Sequence, residues 1–404
     1  MSQSSLHYAW GPYLRWMLAT LILIIVVAGA FNVLVDPAGV FGSPRIAGVN
    51  IVKPHLDHHR ELSRFQGALR QCAGAGIFGN SRAEIGFDPK SPALATHGFS
   101  AFNHAIPGTG ARSTLRQLLW LQGAGCFPKT IFVGVEFFDF LGGSKPQPLP
   151  TLQGSPAPRA NWSFLAESVF SISGLRDAAT TLALQRARYP ESSTEQGFNP
   201  LLNYIPEVEQ SGHYVLFRKR AEENIRNWLR KDFRIRPHEG GMSGDEADLA
   251  AILGMASASG SKTYLIIYPY HAQIRMLMAR LGMGQIFAEW KRLVVASAER
   301  YGRLNGDVEV WDFSVISPET LEAIPAKGDR QTHLAYYWEA GHFKKALGDR
   351  VMERVLGGTG DFGIKLDSGN LDAWLEEDQR RITALLATPS PLLREVEDLL
   401  ATRK

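Results

Sequence analysis

The sequence is poor in cysteine, nearly neutral in charge and has only one long apolar run. Two cysteines in 404 residues exclude a disulfide-scaffold protein, and their spacing matches no zinc motif. Lys and Arg total 43 against 40 Asp and Glu, a net charge of +3. A surface that tracks phosphates needs a basic excess gathered on one face, so nucleic acid is not an expected partner. Mean hydropathy is close to zero, which excludes a multi-span transporter. With 45% hydrophobic, 10% aromatic and 21% charged residues, the chain is not disordered or collagenous. There is no P-loop, no His-Glu-x-x-His and no Gly-x-Ser-x-Gly elbow. Gly74-Ala-Gly-Ile-Phe-Gly79 has the letters of the dinucleotide fingerprint. Those glycines must follow a strand and open a helix, however, and Ile77-Phe78 reads as the strand itself. No metal and no cofactor are expected.

Residues 16–35, WMLATLILIIVVAGAFNVLV, carry no charge and only Thr20 and Asn32 as polar interruptions. About 20 apolar residues cross a bilayer as a helix. Arg15 precedes the run and Asp36-Pro37 ends it. A buried core helix is the bland alternative. A cleaved signal peptide is the stronger one, because Ala28-Gly29-Ala30 has the small-x-small form of a cleavage site. The apolar run continues past Ala30, which favours an uncleaved single-pass anchor in the cytoplasmic membrane with the bulk of the chain outside the cytoplasm. Arg15 on one side against Arg45 and Lys53 on the other gives orientation little support.

Beyond a Gly/Pro-rich stretch at 36–54, short apolar runs alternate with helical patterns. Strands are expected at 76–79, 98–105, 130–135, 263–268 and 308–313, with helices at 113–122, 274–281, 286–301 and 335–356. Such alternation predicts an α/β fold with a parallel sheet and helices on both faces. The expected organisation is an anchor (1–36), a juxtamembrane stalk with a first helix (37–70), a core (71–140 and 259–357), a helical insertion or lid (141–258) and a helical tail (358–404). The insertion opens on a Pro-rich tract and carries helices near 164–182, 214–231 and 245–258. Ser243 with Glu246 gives the last of these a capping-box start. Cys72 stands just ahead of the first expected strand and Cys126 just ahead of the third. In a 2-1-3-4-5 strand order those strands are neighbours, so the thiols could pair in an exported domain. Two buried free thiols remain the alternative. His55, Asp57, His58 and His59 cluster beside the apolar run and read as a solvated face rather than a metal site.

The chemistry gathers at two places. Ser81 in Gly79-Asn80-Ser81-Arg82 stands at the C-terminal tip of the first expected strand, where open α/β sheets hold ligands. There it either caps a helix or presents a hydroxyl beside backbone N–H groups that stabilise an anion. Far along the chain, Glu339-Ala-Gly-His342 supplies a carboxylate three residues before a histidine. A serine hydroxyl is a weak nucleophile and needs a base within hydrogen-bond reach, itself oriented by an acid. Asp329 with His333 is a reserve pair.

With these blocks the chain resembles the SGNH (GDSL-like) hydrolase superfamily from about residue 35 to residue 363. More narrowly it resembles bacterial membrane-anchored members related to alginate O-acetylation proteins and to the membrane-tethered protein of teichoic-acid D-alanylation. The resemblance implies a three-layer flavodoxin-like fold. It implies Ser81 as nucleophile, His342 as base and Glu339 as its orienter, in a family that usually has aspartate there. Asn103-His-Ala-Ile-Pro-Gly108-Thr-Gly110 matches the oxyanion-hole block, with Gly108 as the first-choice donor and Arg82 beside the site. The third block, usually Gly-x-Asn, is here Gly134-Val135-Glu136. An ionised glutamate accepts hydrogen bonds and donates none, so one oxyanion donor is expected to be missing. Tyr270 and His271, after the fourth expected strand, are expected to line the pocket.

The implied activity is two-step acyl transfer: an ester hydrolase or O-acyltransferase, first of all for acetyl groups, on exopolysaccharide or another envelope glycan. A membrane-bound acyltransferase is the partner that analogy suggests. The rival reading is a catalytically degenerate SGNH fold that binds glycan or scaffolds an envelope complex.

Overall fold

The computed structural model describes residues 7–159, 162–302 and 307–402. Among the described residues eight strands form, β1 (Ala75–Phe78), β2 (Ala101–Asn103), β3 (Thr130–Val135), β4 (Lys262–Ile267), β5 (Asp307–Asp312), β6 (Tyr337–Glu339), β7 (His342–Phe343) and β8 (Ile364–Leu366). Six make one sheet in the order β2-β1-β3-β4-β5-β8. The first five run parallel, and β8 joins the β5 edge antiparallel. Parallel pairing needs crossovers long enough to return the chain, and helices supply them. Helices Ala111–Gly123, Gly244–Ala258 and Gly284–Gly302 pack in a row, while Lys345–Val355 packs against the short helices after β1. Strand centres are covered on both faces: Ile77, Phe78, Ile131, Phe132, Leu265 and Ile266 have no exposed surface. Such strands read as unbroken apolar runs.

The chain divides into two compact units, residues 1–67 with 158–193 and residues 68–157 with 194–404. The stretch 141–258, expected as one insertion, is shared between them. In the first unit, helix His7–Val35 is 29 residues long, and 10–35 is apolar enough to cross a membrane. Asp36 ends it: its carboxylate accepts from the N–H groups of Val40 (2.8 Å), Phe41 (3.1 Å) and Gly42 (3.1 Å) and from Lys53 Nζ (3.1 Å). Of the histidine cluster, His55 Nε2 lies 3.9 Å from Asp177, and His59 meets the ring of Phe164 edge-on.

The second unit holds the sheet. Cys72 and Cys126 are joined there, with Cα atoms 5.1 Å apart. The capping box on Ser243 and Glu246 is present. Two helical expectations need correction. Residues 335–356 are not one helix; β6 and β7 form a hairpin, and the helix starts only at Lys345. Gly341 interrupts the helical pattern, and the aromatic pair Tyr337-Trp338 suits a pleated strand. Residues 164–182 are two helices, Trp162–Phe170 and Ile172–Leu184. They are separated at Ser171, whose hydroxyl accepts from Gly174 N–H (2.9 Å) and so restarts the second.

Candidate active site

Strand β1 delivers Gly79 and Asn80 to a tight turn, and helix Ser81–Gly86 begins directly after it. The Asn80 side-chain oxygen accepts from Arg82 N–H (3.0 Å), capping this short helix in place of Ser81. Ser81 is thereby released from capping. The hairpin β6–β7 pairs Glu339 with His342 across its two strands. It docks on the serine helix through Phe343, whose ring occupies the place a Cβ on Gly86 would need. Any larger residue at 86 would lift the hairpin off the helix.

Docking completes a relay. Ser81 Oγ lies 2.8 Å from His342 Nε2. On the other side of the ring, Nδ1 bonds the Glu339 carboxylate. These bonds assign the tautomer, with Nδ1–H donating to Glu339 and Nε2 left to accept from the serine hydroxyl. Glu339 is 1% exposed. Its Oε2 accepts from Gly341 N–H, while Oε1, the oxygen that meets His342, also accepts from Arg220 Nε at 3.2 Å. Burial disfavours the Glu339 charge, but His342, Arg220 and the Gly341 N–H outweigh that and hold its carboxyl below the usual range. Arg220 comes from helix His213–Trp228, 119 residues away in sequence, and no local pattern marks it.

A second cluster surrounds Glu136 at the end of β3. The carboxylate is 4% exposed and ion-paired with Arg82. It also accepts from Tyr270 Oη (2.6 Å), Asn80 Nδ2 (3.3 Å) and Phe138 N–H (3.5 Å). Burial works against the Arg82 charge, yet Glu136 holds the guanidinium above its ordinary range. Burial, then Glu136, push the Tyr270 hydroxyl far up. The Arg82 guanidinium stands 5.3 Å from the centre of the Tyr270 ring. Glu136 donates nothing here. It fixes the cation beside Ser81 and the side chain of Asn80 that starts the serine helix.

The loop after β2 is tied to the same tip, since Ile106 N–H donates to the Gly79 carbonyl (3.0 Å). Gly108 sits two residues further on, with φ +71°. Asn103 was legible only as part of that block. Its amide donates to the carbonyls of Ala83 (2.9 Å) and Phe87 (2.8 Å), and so clamps the end of the serine helix to β2.

His271 belongs elsewhere. It is fully buried, accepts from Gln273 N–H (3.1 Å) as a helix cap and bonds the Glu322 carbonyl (2.9 Å). Burial pushes its ring down to about 4, so it is a neutral structural group rather than pocket lining. Asp329 binds Thr332 (2.6 Å) and the neighbouring N–H groups at the surface, and His333 faces His213. Neither member of this reserve pair bonds Ser81. Among the described residues no group of three His, Cys, Asp or Glu could hold a metal. A groove of about 870 Å³ is lined by Arg234, His238, Glu289 and Arg292 and contains none of the relay. Comparison with family models, curated proteins and solved structures gives no match.

Proposed function

We propose that the chain is a membrane-anchored SGNH-type serine enzyme that cleaves or transfers an O-acyl group, first of all acetyl, on an envelope glycan outside the cytoplasm. The observation that carries this reading is the Ser81–His342–Glu339 relay, with 2.8 Å between hydroxyl and imidazole. The parallel strand order 2-1-3-4-5, with serine at the tip of β1, supports the flavodoxin-like SGNH architecture. An anchor at residues 16–35 suits a polymer emerging at the membrane, and a membrane-bound acyltransferase is the partner that analogy offers.

In this mechanism Ser81 Oγ attacks the ester carbonyl while His342 Nε2 takes its proton. Glu339, kept ionised by Arg220, holds the imidazole and stabilises its cation. The tetrahedral oxyanion is met by backbone N–H groups, with Gly108 the first choice, and by the positive field of Arg82. Collapse expels the glycan oxygen, which receives the proton from His342, and leaves an acyl-Ser81. Water or a second hydroxyl then gives its proton to His342 and takes the acyl group, and His342 returns that proton to the departing Ser81 Oγ.

The degenerate, glycan-binding reading draws on Glu136, which supplies no donor where asparagine would. One experiment separates the two. The full chain in detergent is treated with a fluorophosphonate beside Ser81→Ala. Stoichiometric labelling lost in the variant supports the enzyme. A folded chain that stays unlabelled rejects it in favour of the binding reading.

A further inference from the structure

Helix His7–Val35 is bare along 10–27, with every residue exposed, and becomes covered only from Ala28 onward. Eighteen residues rise about 27 Å, close to the roughly 30 Å of a bilayer's hydrocarbon core. The last two turns therefore stand at the membrane boundary if this helix spans. Helices Trp162–Phe170 and Ile172–Leu184, from the same unit, pack on those two turns. Asn32 Nδ2 donates to the Val169 carbonyl (2.8 Å), capping the end of the first helix. Gly29 permits the approach, because a Cβ there would stand 3.0 Å from both Val169 and Phe170.

The second helix buries Ala178 and Thr181, the first is only partly covered, and the pair leaves an apolar outer side uncovered. Trp162 is 87% exposed, Phe170 63% and Ile172 87%, and Leu175 and Leu182 are exposed beside them. Trp162, Ala166 and Phe170 recur every four residues, which sets them on one face. Phe170 lies against Gly29, two turns inside the end of the apolar helix, so this face continues a surface already built for lipid. Soluble surfaces rarely gather so many large apolar groups, and Trp and Phe at a membrane boundary are the usual anchors of interfacial helices.

We propose that the helix pair 162–184 is a second membrane contact. It lies in the lipid headgroup boundary beside the span and inserts Trp162, Phe170 and Ile172 into the bilayer. The occupant of the apolar face is lipid. The proposal rests on helix His7–Val35 crossing the membrane, and the test reads that separately.

Both native cysteines are paired, so an introduced cysteine can be labelled alone. The full chain carrying Ile172→Cys, or Leu18→Cys as a mid-span reference, is labelled with an environment-sensitive dye. It is then reconstituted in vesicles of phosphatidylcholine and phosphatidylglycerol. Lipids with a nitroxide near the head or near the tail of the acyl chain report depth, and iodide reports water. The expected result is that the label at 172 loses most of its emission to the shallow nitroxide and is shielded from iodide, while the label at 18 is quenched by the deep one. A label at 172 open to iodide and unquenched by lipid, with 18 still quenched, overturns the membrane contact and leaves the span standing. Shielding at 172 without lipid quenching also overturns it and points to a protein on that face. If 18 is unquenched, the span fails and the contact fails with it.

Discussion

Replacing Glu136 by glutamine keeps the size of the side chain and removes its charge. Four donors converge on the carboxylate: Arg82, Tyr270, Asn80 and the Phe138 N–H. A glutamine can still accept from Tyr270, but its NH2 then faces the Arg82 guanidinium or the Asn80 amide, donor against donor. The larger effect is on Arg82, whose side chain is only 14% exposed and loses its counter-ion. Stranding one member of a buried pair costs about 3–5 kcal/mol, and the lower end applies because Arg82 keeps some water and the face of Tyr270. At about 2–4 °C per kcal/mol, the unfolding midpoint of the full chain in detergent should fall by about 6–12 °C. The exposed pair Lys145–Glu239 is the control, and Lys145→Ala should move the midpoint by no more than about 2 °C. Fluorophosphonate labelling should slow in the glutamine variant, because Asn80 and Arg82 both flank Ser81. A Glu136→Gln chain as stable as the parent, with unchanged labelling, would refute the counter-ion role and with it the account of why glutamate stands there.

Glu339→Gln should lower acyl turnover by about 10²–10⁴, and His342→Ala by more; the reverse order in steady-state assays would break the relay. Arg220→Ala should cost about 10–100-fold in kcat with KM little changed, because it removes a charged bond to Glu339 without touching substrate. The Cys72–Cys126 bond closes a loop of separation 54, worth about 4 kcal/mol, so Cys72→Ser with Cys126→Ser should lower the midpoint by about 10 °C. Acid should weaken the fold early: His271 and His213, held at about 4 by burial, stay neutral while the unfolded chain protonates from about 6.5. The unfolded state binds more protons in that window, so stability falls as pH drops through it, by up to about 3 kcal/mol per histidine. Unfolding midpoints that stay flat between about pH 7 and 5 would count against this, and His271→Asn, which keeps a cap, should flatten the slope.

Strands β3 and β4 were legible because each is covered on both faces and so is written as an apolar run, whereas β5 showed as Val308 and Val310 alternating with Asp307 and Glu309 over a half-covered stretch. Helices with a strong stripe or cap were legible for similar local reasons, as at Ser243 and Glu246. The hairpin β6–β7 was hidden because strands of three and two residues are too short to show alternation, and Tyr336, Ala340, Phe343 and Leu347 mimic helical spacing across it. Even so, the geometry that matters survived the misreading. Three residues apart, Glu339 and His342 are neighbours on a helix and equally so across a two-residue turn.

What the chain could not reveal was the identity of each partner. Glu136 was visible as an acceptor where a donor was expected, but Arg82, Tyr270 and Asn80 as its donors follow only from the convergence of β1, β3 and the segment after β4. Arg220 and Asn103 were silent for the same reason. Their bonds, to Glu339 and to the carbonyls of Ala83 and Phe87, join segments that no periodicity relates. The asymmetry is physical. Nucleophile, base and acid are constrained by bond-length geometry to strand tips and tight turns, which leave local marks. The groups that tune them need only a charge at the right point in space, and a helix from anywhere in the chain can bring it.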